Sequence, residues 1–275
     1  MVSNNYFFTK FRFRPIAFLL VSIGSFAIHS CKDPEVVKPI DEVPSERWDT
    51  VTNFSGLIVP ETGVINFKVA YEFDGNPIIF NTKNYINAAN DTFNIREVKH
   101  YFSNVSLTNS AGKIINLKNY HLMDASNPNT TTISIPNVPP GNYKSMSILL
   151  GVDSVRNHSG LQEGALDPAW SMFWTWSTGY IFFRVNGITT RGESYTFDIG
   201  GDQHAPYNLL DLDTYKIKSK SPTFNLGLNI NEMFQNPEVY NFKLDGLTIH
   251  SDTDPGVDKM GRNMKDLLKI NSLNP

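Results

Sequence analysis

The chain has 275 residues, 40% of them hydrophobic and 19% charged, with a formal net charge of -3 and a single cysteine. No basic block is present, which sets nucleic acid aside as a partner. A lone thiol excludes a disulfide within the chain, a cysteine-held iron–sulfur cluster and a cysteine zinc finger.

In chain order, residues 1–30 read as an export signal. Lys10, Arg12 and Arg14 precede an apolar stretch from Pro15 to Ile28 that is too short to span a bilayer. Ile28-His29-Ser30-Cys31 follows the lipobox pattern of bacterial lipoproteins, with His29 an unusual occupant. Lipidation of Cys31 is the expectation, and with it a membrane anchor and a place in the cell envelope, at the outer membrane and facing the periplasm or the surface. An ordinary secretory signal with an incidental cysteine is the alternative. Residues 31–57, with Pro34, Pro39 and Pro44 among acidic residues, read as an extended tether. One domain is expected over residues 58–275.

Period-two alternation dominates that domain. Ile65, Phe67, Val69, Tyr71 and Phe73 share one face before the turn signal Asp74-Gly75. Shorter candidates lie at 98–107, 114–117 and 133–135. Pro139-Pro140-Gly141 then turns the chain into Met146, Ile148, Leu150 and Val152. Further strands are expected at 179–185, at Tyr195-Phe197-Ile199, at Phe224-Leu226-Leu228-Ile230 and over 244–249. Helical pattern is confined to a single turn at 231–234 and an apolar stripe of Met260, Met264, Leu267 and Leu268. About nine strands separated by Gly, Pro and Asn turns predict a mainly β fold, an antiparallel β-sandwich with a short C-terminal helix.

Three of the four tryptophans fall within residues 170–176. Such a cluster is either heavily aromatic core or the centre of a site. Trp174 and Trp176 lie two apart, so in a strand they share a face. Five histidines follow the signal: His100, His121, His158, His204 and His250. None has a local metal-binding spacing, so a metal site would be assembled from separate strands and loops. His204 lies in the glycine-rich loop 200–206 directly after a strand, the kind of segment that carries function. Imidazole suits copper among the candidate metals. The acidic loop 252–258 superficially resembles a calcium loop, but its glycine and its twelfth position do not fit one. A solvated turn capping the next helix explains it more simply. No Gly-x-Ser-x-Gly elbow is present, and Asp211 with Asp213 is only a possible carboxylate pair. No catalytic residue is assigned, and the chain is expected not to be an enzyme.

The chain resembles the MbnP-type copper-binding proteins, exported proteins first associated with methanobactin biosynthesis and also common as lipoproteins of unknown role. The resemblance runs over about residues 64–275. Its carriers are residues 98–107, which match the family's "FY-S-NV-L" strand, Tyr120-His121-Leu122-Met123-Asp124 and the turn 138–143. Asp153, Asn157 and the run 164–168 follow, and most specific is residues 172–183 against "M-W-W-SGYIFFK". The resemblance implies copper binding outside the cytoplasm, for acquisition or trafficking. It also implies, in some members, a tryptophan oxidised to kynurenine by a partner dihaem enzyme. Trp174 and Trp176 are the oxidisable candidates, and His204, His250, His121 and His100 the candidate ligands. One departure stands out. Family members often read "F-H-I-G-G" where this chain has Phe197-Asp198-Ile199-Gly200-Gly201, so Asp198 replaces a histidine that His204 would have to make good. The same aromatics would also serve as a buried strand in a protein that holds no metal.

Two readings therefore stand. A copper-binding lipoprotein predicts that His204, His250 and His121 converge near the tryptophan segment. A non-enzymatic surface module for carbohydrate or protein requires instead an exposed aromatic platform at Trp170 or Trp48, with the histidines scattered.

Overall fold

Alternation of buried and open side chains along Gly63–Phe73 sets the inner face of the smaller sheet. Ile65, Phe67, Val69 and Tyr71 are buried, while Lys68 and Ala70 face outward. Asp74 and Gly75 close the strand at φ 51 and 77, the left-handed backbone that the predicted turn demands. The computed structural model describes residues 50–52, 58–60, 62–174, 179–217 and 221–274. The expected signal, Cys31, most of the expected tether, Trp48 and Trp176 lie outside these residues.

Two sheets form the sandwich. In the smaller, Gly63–Phe73 pairs in parallel with Thr223–Asn229 and antiparallel with Thr132–Val138. Leu268–Asn274 completes it on the far side of Thr223–Asn229. The larger sheet is built on Thr92–Asn109, an 18-residue strand flanked by Gly179–Thr189 and Gly141–Leu149. Tyr207–Ile217 extends one side, and Ser194–Gly200 with a short parallel Thr248–Ile249 extends the other. The expected mainly β sandwich is the fold, with parallel pairs added to its antiparallel frame.

The main core lies between the sheets. Phe67 of the smaller sheet packs on Phe102 of the larger with ring centroids 5.2 Å apart. Each such side chain contributes about 1.5–3 kcal/mol by leaving water. The larger sheet is buried on its other face as well. Phe183 belongs to the main core, whereas its neighbour Phe182 points the opposite way, into a second cluster with Tyr101, Met172, Trp174 and Tyr180. A strand covered on both faces reads as an unbroken apolar run, which is why Tyr180-Ile181-Phe182-Phe183 shows no alternation.

The expected strand over 244–249 is corrected to a helical turn at Phe242–Asp245 and a two-residue strand at Thr248–Ile249. The Asn241 side chain accepts from Lys243 N and Leu244 N, which starts the turn, and Gly246 ends it at φ 102. The closing helix is present but short. It spans Val257–Asn263 and buries Met260, after which Met264 lies in a 3-10 turn and Leu268 opens the final strand.

Candidate functional site

Trp174 ends a two-residue strand, Phe173–Trp174, that pairs with Tyr180 and Gly179. It is 2% exposed, on the outer face of the larger sheet. Its ring lies flush against Gly200, where a Cβ would stand 2.7 Å from the ring and 2.5 Å from the Tyr180 carbonyl oxygen. Gly200 is therefore required by close approach. Gly200→Ala is expected to push the indole off its seat, shift its fluorescence and cost about 1–3 kcal/mol; an unchanged spectrum and midpoint would refute the packing argument. The Trp174 indole nitrogen and the Tyr101 hydroxyl are both buried in this second cluster without a hydrogen-bond partner among the described residues. Next to the indole is a small cleft of about 130 Å3, walled by His158, Asp202 and Asp252.

The Gly200 turn gathers two of the expected residues. His204, 4% exposed, directs Nδ1 to the Gly200 carbonyl at 2.9 Å and Nε2 to Asp258 Oδ1 at 2.7 Å. The hydrogen bond from His204 holds the Asp258 carboxyl below its ordinary range. Gly261 of the closing helix backs the ring, leaving a Cβ there only 3.0 Å from it. Two residues before Gly200 and on the same strand face, Asp198 is buried against Arg184. Arg184 donates from Nε to Oδ1 at 2.5 Å and from the second guanidinium nitrogen to Oδ2 at 2.8 Å. A third donor of Arg184 reaches the Ser171 carbonyl at 3.1 Å, tying the tryptophan segment to this ion pair. His250 Nδ1 lies 3.3 Å from Asp198 Oδ2. The Asp198 carboxylate is thus neutralised by a fork of arginine donors.

The other candidates lie elsewhere. His100 is in the main core, stacked on Phe183 at 4.9 Å, with Nδ1 on the Tyr101 carbonyl and Nε2 on the Tyr71 hydroxyl. Burial depresses its pKa to about 4. Because Phe183 and Trp174 occupy opposite faces of the sheet, His100 and Trp174 cannot line one site. His121 sits opposite Phe102 on the Tyr120–Asp124 strand, half-buried, with its pKa lowered by desolvation. Tyr120 braces its surroundings: its hydroxyl donates to Asp153, which also accepts from Asn104 and caps the Ser154–Asn157 turn. Burial, then Asp153, pushes Tyr120 to about 12. Trp176 and the side chain of Asp213 lie outside the described residues. Among the described residues, no three His, Cys, Asp or Glu side chains surround a common point.

Two site residues were not picked out by the sequence. His158 donates to Asp202, which also accepts from Asn157 and Ser154. Burial would raise the Asp202 pKa, but these bonds outweigh it and the net direction is down. Arg184 was the other. Counting back from the Arg191-Gly192 turn places it opposite Asp198, so hairpin register alone carried that signal.

Fold and site together define a β-sandwich domain whose residues of interest stand on the outer face of one sheet and on the loop that follows it. The MbnP family profile matches residues 62–251, well over half of the chain, and the chain belongs to that family. A solved structure, MbnP from Methylosinus trichosporium, aligns over 78% of this chain and 98% of its own length, at 16% identity and a TM-score of 0.46. No curated protein matches the chain.

Proposed function

We propose that this MbnP-family protein is a lipid-anchored, exported copper-binding protein of the cell envelope, serving copper acquisition or trafficking. The observation that carries the reading is the posture of His204. With Nδ1 donating to a backbone carbonyl, as is usual for metal-ligating histidines, Nε2 is the ring nitrogen left to a metal, which would displace the proton that Nε2 now gives to Asp258. Asp258, facing Nε2 from an exposed position, and His250 across Asp198 supply further donors at the same end of the sheet. Imidazole with carboxylate is an N,O donor set compatible with copper(II). The described side chains offer fewer than three such ligands at any one point, so coordination would be completed by water or by an incoming donor. The Arg184–Asp198 pair removes one ligand that relatives often have.

In this reading Trp174, buried under Gly200, and Trp176 remain the two candidates for oxidation to kynurenine by a dihaem partner. Intact mass of protein from its own host tests that part separately. Copper content of the mature protein, purified from the same host grown with copper, tests the main claim. Near-stoichiometric copper is expected, lost in His204→Ala and reduced in His250→Ala, but retained in His121→Ala. Copper absent from the native protein, or unchanged in His204→Ala, would overturn the proposal.

A further inference from the structure

We infer that the wall bearing Trp170 and His121 is a binding site for a neutral oligosaccharide, sharing no lining residue with the cleft beside Trp174. The cavity there measures about 580 Å3, within the roughly 300–1,000 Å3 usual for small-molecule sites.

Trp170 is 54% exposed, an uncommon state for the largest apolar side chain. It is nevertheless held firmly. Its indole N–H donates to the Gly164 carbonyl at 2.8 Å, and the 3-10 turn Pro168–Trp170 is capped by Asp167 through Ala169 N. With the N–H already satisfied, what the ring offers a ligand is its apolar face. Because the ring is ordered before binding, little entropy is lost on contact.

Opposing groups are polar. The two ring nitrogens of His121 and the side-chain amides of Asn127 and Asn129 make no donor bond, and His121 and Asn129 no acceptor bond, among the described residues. Their turn is fixed, since Thr130 N donates to the Asn127 carbonyl and Thr130 Oγ1 to the Asp124 carbonyl. The two charged lining residues cancel, Lys99 lying 3.6 Å from Asp124. An acyl chain would strand the imidazole and the amides without partners, at a desolvation cost. An ionic ligand would meet no net charge. A pyranose meets both demands, its C–H face lying on the indole and its hydroxyls reaching the imidazole and amides. The neutral form of His121, favoured by its burial, keeps one donor and one acceptor available.

The test is affinity electrophoresis of the lipid-free mature chain through gels containing laminarin, xylan, galactomannan or starch. Calorimetry with the matching trisaccharide follows. Retardation by at least one polysaccharide is expected, independent of ionic strength. Trp170→Ala should weaken trisaccharide binding about tenfold, the scale of one lost aromatic contact. Trp170→Phe should retain much of it, and His121→Ala or Asn129→Ala should weaken it severalfold. Trp170 is exposed, so its variants should keep the thermal midpoint within a few degrees, and Leu244→Ala, at an exposed residue outside the wall, serves as a control. No retardation by any of the four polysaccharides, or equal retardation of wild type and Trp170→Ala, would overturn the inference. So would binding of an apolar dye or peptide at this wall in place of any glycan. Failure of the copper proposal would leave these measurements unaffected.

Discussion

Asp198→Ala is expected to destabilise the fold by about 3–5 kcal/mol, the largest effect of any single change considered, because it leaves the Arg184 guanidinium without its partner beneath the tryptophan segment. The Asp198 side chain is 2% exposed and that of Arg184 17%, so water does little to replace the lost contact. The cost reflects the stranded charge rather than the net worth of the pair. For that reason the double variant Arg184→Met with Asp198→Leu should recover most of the loss and fall within about 1 kcal/mol of wild type. Urea unfolding of the three proteins decides the matter. A single variant within about 1 kcal/mol of wild type would mean that the ion pair is solvated and the outer face less closed than its geometry indicates. The pair also bears on chemistry. Under the copper proposal, Asp198→His alone would set an imidazole against an arginine, so a gain of copper is expected only when Arg184 is replaced as well.

The second large effect is a loss of stability in mild acid. His100 titrates at about 4 in the folded chain against an ordinary 6.5, because its burial disfavours the imidazolium. The hydrogen bonds agree. The Tyr101 carbonyl can only accept, so Nδ1 carries the proton and Nε2 of the neutral ring accepts from the Tyr71 hydroxyl, which satisfies both nitrogens without a charge. Between those two pH values the unfolded chain binds a proton that the folded chain refuses. Stability present above about pH 6.5 is therefore lost as pH falls towards 4, by about 3 kcal/mol in total and about 2 kcal/mol by pH 5. His121, whose pKa is also lowered by burial, adds in the same direction. Unfolding free energies at neutral pH and near pH 5 should differ by this amount in wild type and by much less in His100→Gln, which cannot take up a proton. An identical acid slope in the variant would assign the effect to other groups.

Elements were legible in the sequence where one face is dry and the other wet. Gly63–Phe73, Ser194–Gly200 and Thr223–Asn229 were all expected within a few residues of their observed ends, since burial on one face imposes the period of two. Tyr207–Ile217 carries no readable apolar alternation, because Leu209, 73% exposed, stands next to buried Leu210. Leu268–Asn274 carries none either, because it is an edge strand with few buried side chains. At 242–249 a local cap by Asn241 outweighed the apolar pattern.

What the sequence determined by itself was the mainly β class, the family, and the residue types from which a site is drawn, because strand period, turn chemistry and an ordered series of motifs are local properties. Which face each residue occupies was decided by tertiary structure alone. His100 and Tyr101 are adjacent in the chain yet belong to opposite sides of one sheet, and Trp170 and Trp174, four residues apart, are respectively open to solvent and sealed beneath Gly200. The partners of Asp198 and His204 were likewise settled by strand register and by a helix that returns over 50 residues later. A carboxylate or an imidazole acquires its role from the charge and the acceptor placed against it, and only the folded chain places them.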